Sequence, residues 1–214
     1  MKLFLDSGNK KEIEYYSDLG LIEGVTTTPT ILAREGSIDV DKTLLQVSNL
    51  VDLLHVEALG NTSDDIIAEV QRLESIGLPM LSTVFKIPIS NHGLKACKLL
   101  TNAGYLVNVH LTYTLQQVYL ALEAGATYVC PLVGRLEDQG GDALGLLRDA
   151  VEVKNKYSYK SNIMFSSVRN TNHVKQALNI GVDAITVPGS ILKVLPDHHL
   201  TTLHIAQFEK DNSK

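Results

Sequence analysis

Eight short apolar runs recur along the chain, each followed by a longer stretch in which apolar residues return with the helical period. The short runs, rich in Val, Ile, Leu, Thr and aromatic residues, read as buried strands. They are KLFLD from Lys2, GVTTT from Gly24, LLHVEAL from Leu53, STVFKIPI from Ser82, YLVNVHL from Tyr105, TYVCPLV from Thr127, NIMFSSV from Asn162 and AITVPG from Ala184. Helical patterning runs through KKEIEYYSDLG, the region around VDKTLLQVSNL, SDDIIAEVQRLESIG, NHGLKACKLLTNAG, TLQQVYLALEAG, GDALGLLRDAVEVKNKY and TNHVKQALNIG, and LTTLHIAQFEK supplies a last helix. Several of these stretches end in Gly just before the next strand, where a helix C-terminus turns left-handed.

This alternation over 214 residues predicts an α/β fold, a single (β/α)8 TIM barrel with an additional C-terminal helix, near the lower end of the size range of that architecture. No linker or low-complexity segment interrupts the series, so residues 1–214 are expected to form one domain, with a polar stretch over about 208–214 expected to lack fixed order. A doubly wound open sheet uses the same alternation, but no G-x-G-x-x-G follows the first strand.

Composition narrows the class of partner. A formal net charge of -5 argues against nucleic acid, whose phosphate backbone selects clustered Lys and Arg, and leaves small molecules as the expected ligands. Cys97 and Cys130 form neither a metal-ligand nor a disulfide-framework spacing. A charged interruption breaks up the first apolar run where a secretory core would stand, and the apolar runs are far shorter than the roughly 20 residues that span a bilayer. The expectation is a soluble, cytoplasmic protein in a reducing compartment, without a membrane partner.

In a barrel of this kind the functional groups collect at the C-terminal ends of the strands. The polar residues at or near those ends are Asp6, Thr26 with Thr27 and Thr28, Glu57, Lys86, Asn108 with His110, Arg135, and Ser167 with Arg169. Lys86 stands alone in an apolar run, between Val84, Phe85, Ile87 and Pro88. Burial favours the neutral amine, which attacks a carbonyl and forms a Schiff base that withdraws electrons from a neighbouring carbon–carbon bond. Asp6 or Glu57 then suits proton transfer at a sugar hydroxyl. Arg135, Arg169 and Ser167 suit a phosphate, since guanidinium forks match its oxygens. Plainer roles compete with each: a snorkelling surface lysine at Lys86, a helix N-cap at Asp6, a solvated or core-paired acid at Glu57. Arg135 competes with local pairing to Glu137 or Asp138, Arg169 with a loop cation, Asn108 and Ser167 with partners for buried backbone groups. His92, His173, His198, His199 and His204 are expected mostly at the surface and show no metal spacing; His110 alone points toward the pocket.

The order of motifs resembles the transaldolase family, in particular the short transaldolases related to fructose 6-phosphate aldolase, over nearly the whole chain. GVTTTPT is similar to that family's GVTTNPT, FKIPIS to its KIP segment, YVCPLVGRLED to YVSPFVGRLDD and FSSVRN to ASIRN. The resemblance implies Lys86 as the Schiff-base lysine and Asp6 as the acid at the hydroxyl of the cleaved carbon. It implies Glu57 acting through a water, Asn108 on the dihydroxyacetone portion, and Arg135, Ser167 and Arg169 on phosphate. The implied reaction moves a dihydroxyacetone unit between sugar phosphates, from fructose 6-phosphate or sedoheptulose 7-phosphate to an aldose phosphate, without metal or organic cofactor. It also implies a homo-oligomer, a pentamer or decamer, with the C-terminal helix reaching a neighbour.

Glu57 favours transfer over the aldolase branch, which carries glutamine there; Leu132 fits neither branch. Thr28 stands for the family's asparagine, His110 for a threonine that helps to hold a water, and Cys130 for a serine. Two other readings stay open: aldolase-type cleavage, and a sugar-phosphate-binding descendant that has lost turnover.

Overall fold

The computed structural model describes residues 1–213. Eight strands, β1 (Lys2–Asp6), β2 (Gly24–Thr26), β3 (Leu53–Glu57), β4 (Thr83–Pro88), β5 (Leu106–Thr112), β6 (Tyr128–Pro131), β7 (Asn162–Phe165) and β8 (Ala184–Val187), pair in parallel in chain order. β1 pairs with both β2 and β8, so the sheet closes on itself and leaves no free edge. This is the expected (β/α)8 barrel.

The outer layer is α1 (Lys10–Asp18), α2 (Pro29–Arg34), α3 (Val40–Ser48), α4 (Ser63–Ser75), α5 (Asn91–Asn102), α6 (Leu115–Glu123), α7 (Val133–Asp138), α8 (Ala143–Lys156), α9 (Thr171–Ile180), α10 (Gly189–Leu192) and the terminal α11 (His199–Asn212). The longer helices start where the sequence supplies a cap. Thr62 with Asp65 and Thr114 with Gln117 form capping boxes at α4 and α6, satisfying donors that a helix start would leave bare. At the C-terminus of α9, Gly181 adopts φ 78°, a conformation that a Cβ would strain.

The period-2 alternation of the strands sorts their side chains into two cores. Leu5, Val25, Leu54, Val56, Phe85, Val107, Val129, Ile163 and Ile185 face outward and pack under the helices. Phe4, Val84, Tyr128, Cys130, Met164 and Ala184 face inward and fill the barrel.

The structure differs from the sequence expectation mainly at strand ends. β2 stops at Thr26, because Thr28 caps α2 and Pro29 occupies its first turn. β6 stops at Pro131, and Val133 begins α7 rather than ending a strand. β7 stops at Phe165, two residues before Ser167 takes a left-handed φ of 60°. α2, α7 and α10 have six, six and four residues, too few to show a helical period. α11 runs on to Asn212, so residues 208–212 of the polar tail are helical. No helix among the described residues is long and apolar enough to cross a membrane.

One glycine tests how tightly the wall is built. A Cβ at Gly24 would stand 2.0 Å from the Leu53 carbonyl oxygen on the neighbouring strand. Gly24→Ala is therefore expected to cost about 1–3 kcal/mol, lowering the thermal midpoint by roughly 2–4 °C per kcal/mol. An unchanged midpoint in a calorimetric scan would show that the β2–β3 seam yields freely.

Candidate active site

Strand register brings the acid and the lysine together. Glu57 and Lys86 are Cα partners at the ends of β3 and β4, and Lys86 is in turn the partner of Asn108 on β5. Residues in register on adjacent strands share a face, so all three point into the barrel. Lys86 Nζ lies 2.9 Å from Glu57 Oε1, with the two side chains 7% and 8% exposed. The ammonium also donates to the Thr27 carbonyl oxygen at 3.0 Å. The snorkelling alternative for Lys86 is thereby excluded.

His110, two residues beyond Asn108, places Nε2 at 3.0 Å from the other carboxylate oxygen, Glu57 Oε2. Neither of these two buried atoms has a well-aligned hydrogen bond. Regular pairing breaks just past His110: Leu111 adopts φ 59° and the register with β6 slips between His110 and Thr112. Bulges of this kind re-aim side chains next to sites.

Asp6 ends β1 across the mouth. Its Oδ1 accepts from Thr26 Oγ1 at 2.8 Å, and Thr26 Oγ1 lies 2.5 Å from Thr186 Oγ1. Asp6 is not the cap of α1; Asn9 fills that position, its side chain accepting from the Glu12 N–H.

The two carboxylates are driven in opposite directions. Burial raises the Asp6 pKa above the ordinary range, and the Thr26 hydroxyl with the charges of Lys86, Arg34 and Arg135 offsets this only in part. Burial acts the same way on Glu57, but contact with His110 and the charge of Lys86 outweigh it and hold that carboxyl below the ordinary range. Burial also lowers the His110 pKa, with Glu57 opposing and Lys86 and Arg135 reinforcing.

The remaining expected residues sit around this pair. Arg135 lies exposed on α7 with no ion pair among the described residues, so the competing alternative of local pairing to Glu137 or Asp138 does not form. Arg169 pairs instead with Asp138 at 2.9 Å, both well exposed. Gly134 lets α7 approach the β7 loop: a Cβ there would stand 2.2 Å from the Ser167 carbonyl oxygen and 2.7 Å from Arg169 Nε. Arg135, Ser167 and Arg169 are thus grouped by backbone contact between α7 and that loop. Thr28 lines the wall, but its hydroxyl accepts from the Ile31 N–H as the α2 cap.

Several residues escaped the sequence reading. His55 is fully buried below Glu57, its ring against Phe4 and Tyr128 and its Nδ1 3.1 Å from Asn108 Nδ2. Thr186 faces Thr26, and Arg34 acts on Asp6 from the end of α2. His55 lies two residues before Glu57, and Thr186 two after the inward Ala184; the same period-2 parity that assigns the strands assigns their faces. His173, expected at the surface, is buried on α9, accepts from the Arg169 N–H at 3.2 Å and lies 3.0 Å from Glu137. It braces the α7 and β7 segments that carry the two arginines.

A cavity of about 160 Å³ reaches Glu57 from the side of α2, α3 and α4, lined also by Thr27, Leu59 and Arg72. Lys86 does not line it. No group of three or more His, Cys, Asp or Glu that could hold a metal occurs among the described residues.

The opposed carboxylates give a stability test. The folded Asp6 pKa lies above its unfolded value, so ionised Asp6 costs stability increasingly as pH rises from the unfolded toward the folded pKa. The folded Glu57 pKa lies below its unfolded value, so Glu57 contributes stability that is complete above the unfolded pKa and lost as pH falls through the folded one. Thermal melts should show Asp6→Asn raising the midpoint and Glu57→Gln lowering it near pH 7, the Asp6 difference shrinking as pH falls toward about 4 and the Glu57 difference shrinking only as pH falls below about 4. Equal signs at neutral pH would contradict this electrostatic picture.

Comparison with known proteins agrees with the geometry. The family model described as Transaldolase/Fructose-6-phosphate aldolase matches residues 3–214. A protein named "Probable transaldolase" from Geobacter sulfurreducens is 39% identical over 99% of this chain and 97% of its own length. Proteins of the same name from Geobacter metallireducens and Lactiplantibacillus plantarum are 38% and 36% identical, each covering at least 96% of both chains. Among solved structures, a thiamine phosphate pyrophosphorylase from Pyrococcus furiosus superposes with TM-score 0.58 over 87% of this chain and 85% of its own, at 18% identity, a likeness of fold alone. With a buried lysine–carboxylate pair at the barrel mouth and full-length matches of this strength, the chain belongs to the transaldolase/fructose-6-phosphate aldolase family.

Proposed function

We propose that this protein is a transaldolase that moves a dihydroxyacetone unit from a ketose phosphate to an aldose phosphate through an imine on Lys86. The observation that carries the reading is the buried Lys86 Nζ, 2.9 Å from Glu57 Oε1, at the mouth that also holds Asp6.

The amine attacks the ketose carbonyl and forms a carbon–nitrogen bond. The oxygen then leaves as water with two protons that began on the lysine nitrogen, and Glu57 is the base beside that nitrogen. The protonated imine draws the electrons of the adjacent carbon–carbon bond as it breaks, while the hydroxyl on the departing carbon gives its proton to Asp6. An aldose phosphate leaves and the three-carbon enamine stays on Lys86. The reverse steps attach that unit to a second aldehyde. Ionised Asp6 with a raised pKa is a competent base for this hydroxyl and a competent acid on the return.

Asn108, beside Lys86 in register, lies within the three-carbon half of the proposed pocket. Arg135, with no ion pair among the described residues, and Arg169, which must exchange Asp138 for a ligand, suit the phosphate. Glu57, rather than glutamine, favours transfer over simple cleavage. A homo-oligomer is part of the proposal: α11 has no buried residue and exposes Leu200, Leu203, Ile205 and Phe208.

Borohydride trapping with fructose 6-phosphate, read by peptide mass spectrometry, is expected to place a reduced three-carbon adduct on Lys86 and none on Lys86→Ala. Asp6→Asn should still trap the imine yet lose roughly 10²–10⁴-fold in turnover. Turnover that needs an acceptor aldehyde supports transfer, and release of dihydroxyacetone without one supports cleavage. Stabilisation by the sugar phosphate with no adduct would instead indicate a binding protein.

A further inference from the structure

We propose that His110 is the proton store for imine formation at Lys86, working through Glu57; this rests on the transaldolase reading above. Glu57 stands between the two nitrogens, with Oε1 2.9 Å from Lys86 Nζ and Oε2 3.0 Å from His110 Nε2. A bridging carboxylate so placed has one oxygen for the donor and one for the acceptor.

The three side chains are largely withdrawn from bulk water: Lys86, Glu57 and His110 are 7%, 8% and 8% exposed. A proton that leaves the ammonium is best served by a local acceptor. Glu57 alone is a poor resting place for it, since its surroundings favour the ionised form. Neutral imidazole at His110 is the next base in line.

The transfer balances as follows. Lys86 ammonium gives a proton to Oε1 and becomes the nucleophilic amine. A half-turn about the Glu57 terminal torsion, which has broad minima, carries the proton to the His110 side, where the neutral ring, in its Nδ1–H tautomer, takes it on Nε2 and becomes imidazolium. After the amine has bonded to the carbonyl carbon, the same route returns that proton to the departing oxygen. The second proton passes from nitrogen to oxygen through Glu57, and water leaves.

The groups facing His110 are Glu57 on β3, Lys86 on β4, Cys130 on β6 and Arg135 on α7. Only Glu57 favours the imidazolium, and burial with the two cations keeps the resting ring neutral, able to accept. The bulge at Leu111 follows directly after His110 in the chain.

The test is single-turnover imine formation with fructose 6-phosphate across pH, quenched with borohydride, in wild type, His110→Gln and His110→Ala. Gln keeps a polar group without a titrating proton. Relative to wild type, His110→Gln should slow trapping at least 10-fold and lose the acid limb on which the wild-type rate falls as His110 protonates. Added imidazole should restore part of the rate in His110→Ala. A wild-type rate and limb in His110→Gln would overturn the proposal, as would a slowed variant that keeps the limb and shows no imidazole rescue. Absence of any adduct in wild type would overturn the transaldolase reading itself, which separates the two failures.

Discussion

The placement of one ion pair inside a closed wall governs this molecule. Lys86 and Glu57 are both withdrawn from water, and taking charges of that size out of solvent costs several kcal/mol per ion. Only close contact, 2.9 Å, with further partners in the Thr27 carbonyl and His110, keeps both groups in place. That contact follows from register: a slip of one residue between β3 and β4 would send one of the pair to the helix side. The outer apolar layer, in which residues such as Val56 and Phe85 are locked under helices, holds the register.

Along its axis the interior changes from apolar to polar. Phe4, Val84, Tyr128 and Met164 fill the floor, His55 and Asn108 form a polar step above it, and Asp6, Thr26, Glu57, Lys86 and His110 crowd the mouth. Buried polar atoms without a hydrogen bond concentrate here, among them Asn108 Oδ1 and His55 Nε2. In a settled core such atoms are costly, and here they cluster toward the barrel mouth. The same economy separates the two acids, because Asp6 has less compensation for its burial than Glu57 has.

The fold was legible because its signal repeats. Each strand and long helix carries its own period, and parallel order with short connections leaves few topologies. The site was legible to the extent that polar residues interrupt apolar strands, as Lys86 and Glu57 do. Thr28 shows the limit: a threonine before proline reads equally as ligand group or turn, and the structure engages its hydroxyl as the α2 cap. His173 shows another, since its helix position gives no hint of the Glu137 and Arg169 groups that bury it.

The sequence by itself determined the barrel, the inward parity of Asp6, Glu57, Lys86 and Asn108, and, through its motif order, the family. Periodicity and local composition are properties of neighbours along the chain, so they survive without coordinates. Tertiary structure alone decided which groups touch: Glu57 between Lys86 and His110, Thr26 between Asp6 and Thr186, and Arg169 on Asp138, with Arg135 left without an ion pair among the described residues. Those contacts join residues far apart in the chain, and their distances are set by strand register and by the turn after each strand, which no local pattern encodes.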